Sequence, residues 1–475
     1  MAFMSCSNDS TWLWFGVALQ IFVNLLFCGC IFGYASLQLI FEEDGVLATL
    51  CGSEGPGCEA QLQSLLLVYT LGSSFQVFSS FPVGILVDSA GPVICTALGG
   101  ILVIIGLLCF GLAARDSLAT FVIGSVLLSL GGTVTFVTSF LIGFVIPQRR
   151  VSIVMTALNC AFDGSTCIFL IFYIFTSYLK VSRQTIFVAY AIVGVVIFAP
   201  LAWWWYKIGF PILQDRKSAA RGSDSVVHTA VAVAEMIDDC DINFKVVNDD
   251  QHDSGNSHDS SVLEQHTQFH KLEWYQQLNS KRFLCLAAFG SIHLFRANAY
   301  MGIIKNVLFQ LKDEQTNYLY TTIYSAILPL GGIFISLIDA IIYRNKYITS
   351  IQICTVLGAI YGGIALIPIL EVQVITFTIF CFFRALFYSV IGTYSIQIFG
   401  PINAGRSYGM VWVGGSVLNF MVWPALILSD RYAAGSYMPF NIFLLSLCLP
   451  LVMLMQWVLK PELERVQGAS RPTRD

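Results

Sequence analysis

The chain has 475 residues, 56% of them hydrophobic and 11% charged, with a mean hydropathy of +0.73 and a net charge of −4. Soluble domains carry about 25% charged residues, so most of this chain does not face water, and the absence of a basic stripe excludes a nucleic-acid partner. The cysteines sit mostly in apolar runs (Cys28, Cys30, Cys109, Cys160, Cys285 and Cys381), where they read as small buried hydrophobes and not as a disulfide framework.

The opening MAFMSCSNDS lacks the basic start of a cleavable signal, so the first apolar run is expected to stay as a helix. A bilayer core about 30 Å thick takes about 20 helical residues. That ruler predicts spans at 12–37, 62–87, 93–113, 118–146, 151–178, 184–206, 283–308, 317–343, 349–370, 373–398, 407–429 and 437–459. Lys and Arg concentrate in the segments that share a side with both termini, such as Arg149, Arg150, Lys281, Arg282, Arg344 and Lys346, which predicts cytoplasmic N- and C-termini. Asn8-Asp-Ser10 matches a glycosylation acceptor, but on the expected cytoplasmic side it is a chance match.

Span one carries Gln20 and Asn24, two amides suited to hydrogen-bonding a neutral solute. In the outside loop that follows, Cys51 and Cys58 flank a Gly- and Pro-containing turn in an oxidising setting, which makes a disulfide the expected pairing. Span two ends in Gly84-Ile-Leu-Val-Asp88-Ser-Ala-Gly91-Pro92, and span eight ends in an analogous stretch with Asp339. Each acid is expected at the cytoplasmic end of the second helix of its half. There it can meet a helix N-terminus of the other half, whose dipole favours anions, and so act as a conformational latch. The basic residues that usually follow such an Asp are missing, since Ser89, Val93 and Ile94 stand there. Span four contains GGTVTFVTSF, in which Gly131 and Gly132 permit close helix approach and Thr133, Thr135 and Ser139 face a partner helix or a cavity.

Ionisable residues inside spans are costly, at least about 2.5 kcal/mol at the bilayer centre, and are retained when paired or functional. Span five holds Asn159 and Asp163, span seven His293, Arg296, Asn298 and Tyr300, and span ten Arg384. Arg296, with Asn298 and Tyr300 beside it, is the expected partner of a substrate carboxylate through a charge-assisted fork. The competing reading makes Arg296 a structural ion pair, with Asp163 as the candidate partner. Arg384 is expected to be structural, and Asp163 reads as a packing residue before a proton-coupling one.

The stretch 207–282 is polar, acidic and Ser-rich, and is expected to be a mostly disordered cytoplasmic loop between an N-terminal half, 1–206, and a C-terminal half, 283–459, with a tail at 460–475. Its histidines show no ligand spacing, so no metal and no cofactor is expected. No Walker loop, H-E-x-x-H or nucleophile-elbow motif is present, so the chain is not expected to be an enzyme.

Gly84, Leu86, Asp88 and Gly91 fit the G-x-L-x-D-x-x-G loop of the major facilitator superfamily. The stretches FGYASL (32–37), 58–92, NCAFDGSTCIFL (159–170) and LIPILEVQVITF (366–377), running on to Arg384, resemble the branch holding the system-L-type large neutral amino acid transporters and the equilibrative nucleobase transporter. The resemblance covers the chain outside the long loop. It implies an all-α membrane protein of twelve spans in two six-helix halves, and facilitated, ion-independent transport by alternating access. The expected partners are a small-molecule substrate and the bilayer, with the plasma membrane preferred over an organelle. The expected cargo is a large neutral amino acid, with a nucleobase second, read by Gln20, Asn24, Asn159 and cavity aromatics. A non-transporting nutrient sensor of the same fold is the remaining alternative, and deletion of about 215–270 separates it, because a carrier keeps its flux.

Overall fold

In the computed structural model, residues 8–52, 57–147, 150–210, 274–334, 337–338, 341–342, 347–433 and 436–459 are described, and they are almost wholly helical. Helix is the expected outcome in lipid, where every backbone N–H and C=O must be satisfied within its own segment or by a closed barrel. The surface has the composition of a lipid-facing one. Ile192, Val195 and Val196 of one helix are exposed together, and Trp457 is 75% exposed. A soluble protein does not present apolar residues so continuously.

Span one is α1 (Asn8–Val23) and α2 (Tyr34–Glu43), joined by a π turn at Asn24–Cys28 and a 3-10 turn at Cys30–Gly33. Span two is α3 (Glu59–Phe78), which bends by 44° into the start of α4 (Ser80–Leu112). The helical assignment of α4 crosses the reversal into span three, marked by Gly91 at φ 78° and ψ 170°. Only glycine adopts that conformation without strain, and Pro92 then opens the next helix at a position that tolerates its missing N–H. Span four is α5 (Leu118–Ser139), span five is α6 (Val151–Gly164) and α7 (Ile168–Ser177), and span six is α8 (Arg183–Trp204), extended by a π turn to Gly209.

After a short helix α9 (Trp274–Leu278), span seven is α10 (Lys281–Gln310). Span eight starts as α11 (Leu319–Ile327) and continues as a 3-10 segment, Leu328–Phe334, and span nine is α12 (Tyr347–Ile364). The assignment then runs unbroken through α13 (Leu370–Asn419), where a loop near 399–406 was expected. A straight helix would hold residues 24 apart at about 36 Å, yet the rings of Tyr388 and Trp412 lie 5.0 Å apart. The chain therefore turns back within α13, which supplies both span ten and span eleven. The bundle closes with α14 (Val422–Ala433), α15 (Met438–Ser446) and α16 (Cys448–Leu454). Seven described helices are by themselves long and apolar enough to cross a membrane, or eight counting the bent pair of span two. Breaks, undescribed residues and the merged hairpin account for the rest of the twelve expected. The long loop, 207–282, is entered later and left earlier than expected, since helix reaches Gly209 and resumes at Trp274. Its interior lies outside the described residues.

Small residues set the closeness of the packing. A Cβ on Gly131 would sit 2.6 Å from the carbonyl oxygen of Gly99, so spans three and four touch backbone to backbone. The two ends of the bundle are distinguished below as the loop face, where Phe210 and Trp274 lie, and the disulfide face, where Cys51 and Cys58 form a disulfide.

Candidate functional site

Three spans lose α-helical geometry at the same depth. The break of span one touches that of span five: the Gly29 N–H donates to Ser165 Oγ at 2.8 Å, and a Cβ on Gly33 would lie 2.1 Å from the carbonyl oxygen of Thr166. The 3-10 segment of span eight packs on α6, where Gly332 faces Cys160 and Gly331 faces the carboxylate of Asp163. Broken helices at the meeting of two halves are how many carriers build a binding site, because they free backbone groups where solute must be held.

Arg384 reaches this junction from span ten. Its Nη1 lies 3.1 Å from Asp163 Oδ1, so the pair joins the C-terminal half to the N-terminal half. The guanidinium also lies over the rings of Phe32, at 5.4 Å, and Tyr388, at 5.5 Å. Arg384 is buried, yet its Nε and Nη2 have no hydrogen-bond partner among the described residues. Asp163 is the more accessible member, with 21% of its side chain exposed against 3% for Arg384. An arginine with two idle donors, a reachable carboxylate and two aromatic faces forms a place where a polar, partly apolar solute gains contacts.

The seam continues toward the disulfide face. The carbonyl of Asn298 accepts from Tyr69 Oη at 3.1 Å, while neither atom of the Asn298 side-chain amide is paired among the described residues. Asn419 Nδ2 donates across the seam to Ser73 and Ser74. Beyond them Ser36 bonds Ser325 at 2.8 Å, Gln38 bonds Asn306 at 2.7 Å, and Lys305 pairs with Glu42. The two halves are thus fastened on this side from the seam centre to the helix ends.

The remaining expected residues lie elsewhere. Gln20 donates to Asn24, which donates to Ser139 at 3.1 Å and to the Leu158 carbonyl; Trp205 completes the network by donating to Gln20. These groups clamp four spans of the N-terminal half to one another. Thr135 bonds back to Gly131 in its own helix and packs against Gly99, and Asn159 is exposed and bonds back to Met155.

The competing reading that paired Arg296 with Asp163 is corrected, because Arg384 occupies the carboxylate. Arg296 instead turns into the C-terminal half, donating to the Gly358 carbonyl at 2.6 Å, approaching His293 and lying over Tyr361 at 5.2 Å. Tyr300 follows it into a cluster with Tyr324, Tyr361 and Phe380. At Gly84 of the latch motif a Cβ would meet nothing within 4 Å among the described residues. The backbone at Asp88 is helical, whereas its side chain and all of Asp339 lie outside the described residues.

A family model described as Major Facilitator Superfamily matches residues 17–422. The chain is 24% identical over 420 residues to Protein FMP42 of Saccharomyces cerevisiae, covering 82% of each. Shorter matches join it to equilibrative nucleobase transporter 1 of Bos taurus (29% identical, 30% of this chain and 31% of that one) and to large neutral amino acids transporter small subunit 3 of Homo sapiens (28%, 25% and 23%). Among solved structures, a peptide transporter POT superposes with a TM-score of 0.62 at 12% identity over 95% of both chains. The proton:xylose symporter XylE gives 0.59 at 13%, over 95% of this chain and 96% of that one.

Proposed function

We propose, from the premise that the chain belongs to the major facilitator superfamily, that this membrane transporter is a facilitative carrier of large neutral amino acids, bound at the Asp163–Arg384 junction. The observation that carries the reading is the pair itself. Among the described residues Nε and Nη2 of Arg384 have no partner and can serve a carboxylate, and Asp163 is accessible enough to take an ammonium. A zwitterion offers both charges at once and returns to each partner what it loses when the pair opens. Phe32 and Tyr388 supply the apolar walls for its side chain. The partial likeness to the human large neutral amino acid transporter subunit supports the same choice. The carrier needs no ion, works by alternating access between the two halves, and sits in the plasma membrane with the loop face and both termini in the cytoplasm.

A nucleobase is the second reading. The unpaired amide of Asn298 presents one donor and one acceptor, the complement of a base edge, and aromatic faces flank Arg384. The match to the bovine nucleobase transporter supports it.

Uptake of labelled leucine and labelled adenine into cells expressing the protein separates the two. Leucine uptake competed by other large neutral amino acids, and reduced at least tenfold by Arg384→Gln, is the expected result. Adenine uptake without leucine uptake refutes the first reading and installs the second.

A further inference from the structure

Arg296 sits at a second site, away from the seam. It is 1% exposed, and among the described residues no carboxylate lies within ion-pair distance of it. Its Nη2 is spent on the Gly358 carbonyl, and its Nη1 meets His293, which already contacts Thr355 through Nε2. Among the described residues its Nε has no hydrogen-bond partner, and neither has the hydroxyl of Tyr300 one turn along the same helix. Span nine makes the room: a Cβ on Gly358 or Gly362 would come within 2.8 Å or 3.0 Å of the guanidinium. Arg296 and Tyr300 line a crevice with Tyr361, Gly362, Asn441 and Leu444. Glycines at both positions therefore keep a cation in a crevice and leave two donors buried there.

Position and size narrow the occupant. Asn441 lies in the first turn of α15, and Gly362 lies in the last turn of α12. Both helix ends are at the disulfide face, since Asn306 beside the Lys305–Glu42 pair reaches Tyr437, just before α15. The first turn of α15 brings the positive end of its dipole, which favours an anion. The crevice holds no more than one water or one monatomic ion, too little for an amino acid or a lipid headgroup.

We propose that this crevice binds a single small monovalent anion, chloride in physiological media, which neutralises Arg296 and is held by Arg296 Nε, the Tyr300 hydroxyl and the side-chain amide of Asn441. The site is separate from the Asp163–Arg384 junction and does not depend on which cargo the junction takes.

The test is thermal unfolding of the purified full-length protein in nanodiscs, with sodium chloride titrated into sodium gluconate at constant ionic strength. The expected result is a saturable rise in Tm with chloride, reproduced by bromide. In Tyr300→Phe, which keeps the ring and removes the donor, the chloride midpoint moves up about tenfold or more, as loss of a hydrogen bond to a charged group implies. Asn441→Leu moves it in the same direction, while Asp163→Asn leaves it in place. Equal Tm in both salts shows a water in the crevice and overturns the proposal. So does a chloride response that Tyr300→Phe and Asn441→Leu leave unchanged, which is a general salt effect.

Discussion

At the scale of single residues, the seam pair separates stability from transport. Removing one partner of a buried pair strands the other charge, at a cost of about 3–5 kcal/mol, so Arg384→Gln and Asp163→Asn should each lower thermal stability in detergent. The double variant strands nothing, and its stability should return close to that of the wild type while uptake stays lost. A double variant as unstable as either single one would refute this account of the pair. Gly91→Ala makes a different point. The residue turns the chain at φ 78°, and a Cβ there would also come within 3.3 Å of the Phe210 ring. The substitution should destabilise by about 1–3 kcal/mol, measured as a shift in thermal melting. From sequence, Arg296 is expected to take the substrate role and Arg384 a structural one, although both lie mid-span beside aromatic residues. Which of them faces the other half depends on which neighbour each helix face meets, and a single chain of letters does not encode that. Gly358 and Gly362, one turn apart in span nine, were the available sign that a neighbour's long side chain enters that helix.

At the scale of elements, helix ends are fastened at the disulfide face by a small polar hub. Asp44, just past α2, accepts from Arg183 Nε at 2.8 Å and from Arg115 Nη2 at 3.0 Å. Arg183 in turn donates to the carbonyls of Phe110 and Ala113, satisfying the C-terminal end of α4. One hub thus ties the ends of spans one, three and six. Partial burial by itself would raise the pKa of Asp44, but the hydrogen bonds and charges of Arg115 and Arg183 outweigh it and hold the carboxyl below the usual range. A carboxyl depressed in the folded state stabilises fully above its unfolded pKa, about 3.9, and loses that contribution as the pH falls through the folded value. The melting temperature of the wild type should therefore fall below about pH 4. Asp44→Asn should melt lower at neutral pH and show a weaker fall in that window. Spans one, five and eight are expected from sequence as continuous helices, and their interruptions fall at or beside Gly29, Gly164 with Ser165, and Pro329 with Gly331 and Gly332. Their convergence on one point required the packing.

At the scale of the whole molecule, span count, family and the two halves were legible because the membrane imposes a ruler and a composition that any span must meet. The reversal inside α13 was legible too, although the helical assignment runs through it. What sequence left open is the conformation captured, which follows from pairings 263 to 289 residues apart in the chain. Ser36 with Ser325, Gln38 with Asn306 and Glu42 with Lys305 join the halves along the disulfide side. Under the alternating access proposed above, these contacts open once per cycle. The two neutral hydrogen bonds contribute about 0.5–1.5 kcal/mol each, and the attraction in the buried Lys305–Glu42 pair is offset by the desolvation of both charges, a balance that keeps the closed and open states close enough in energy to exchange. The Ser36 and Ser325 hydroxyls are 2.8 Å apart, so a Ser36→Cys, Ser325→Cys double variant places two thiols across the seam within disulfide reach. Oxidation should stop uptake and a reductant should restore it, with each single variant indifferent to both. If the oxidised double variant, shown to be cross-linked by mass spectrometry, still carried substrate at the wild-type rate, the halves would not part along this line. The moving element would then have to be sought among the broken spans themselves, at Gly29 and Gly331, and not in a rocking of the two halves.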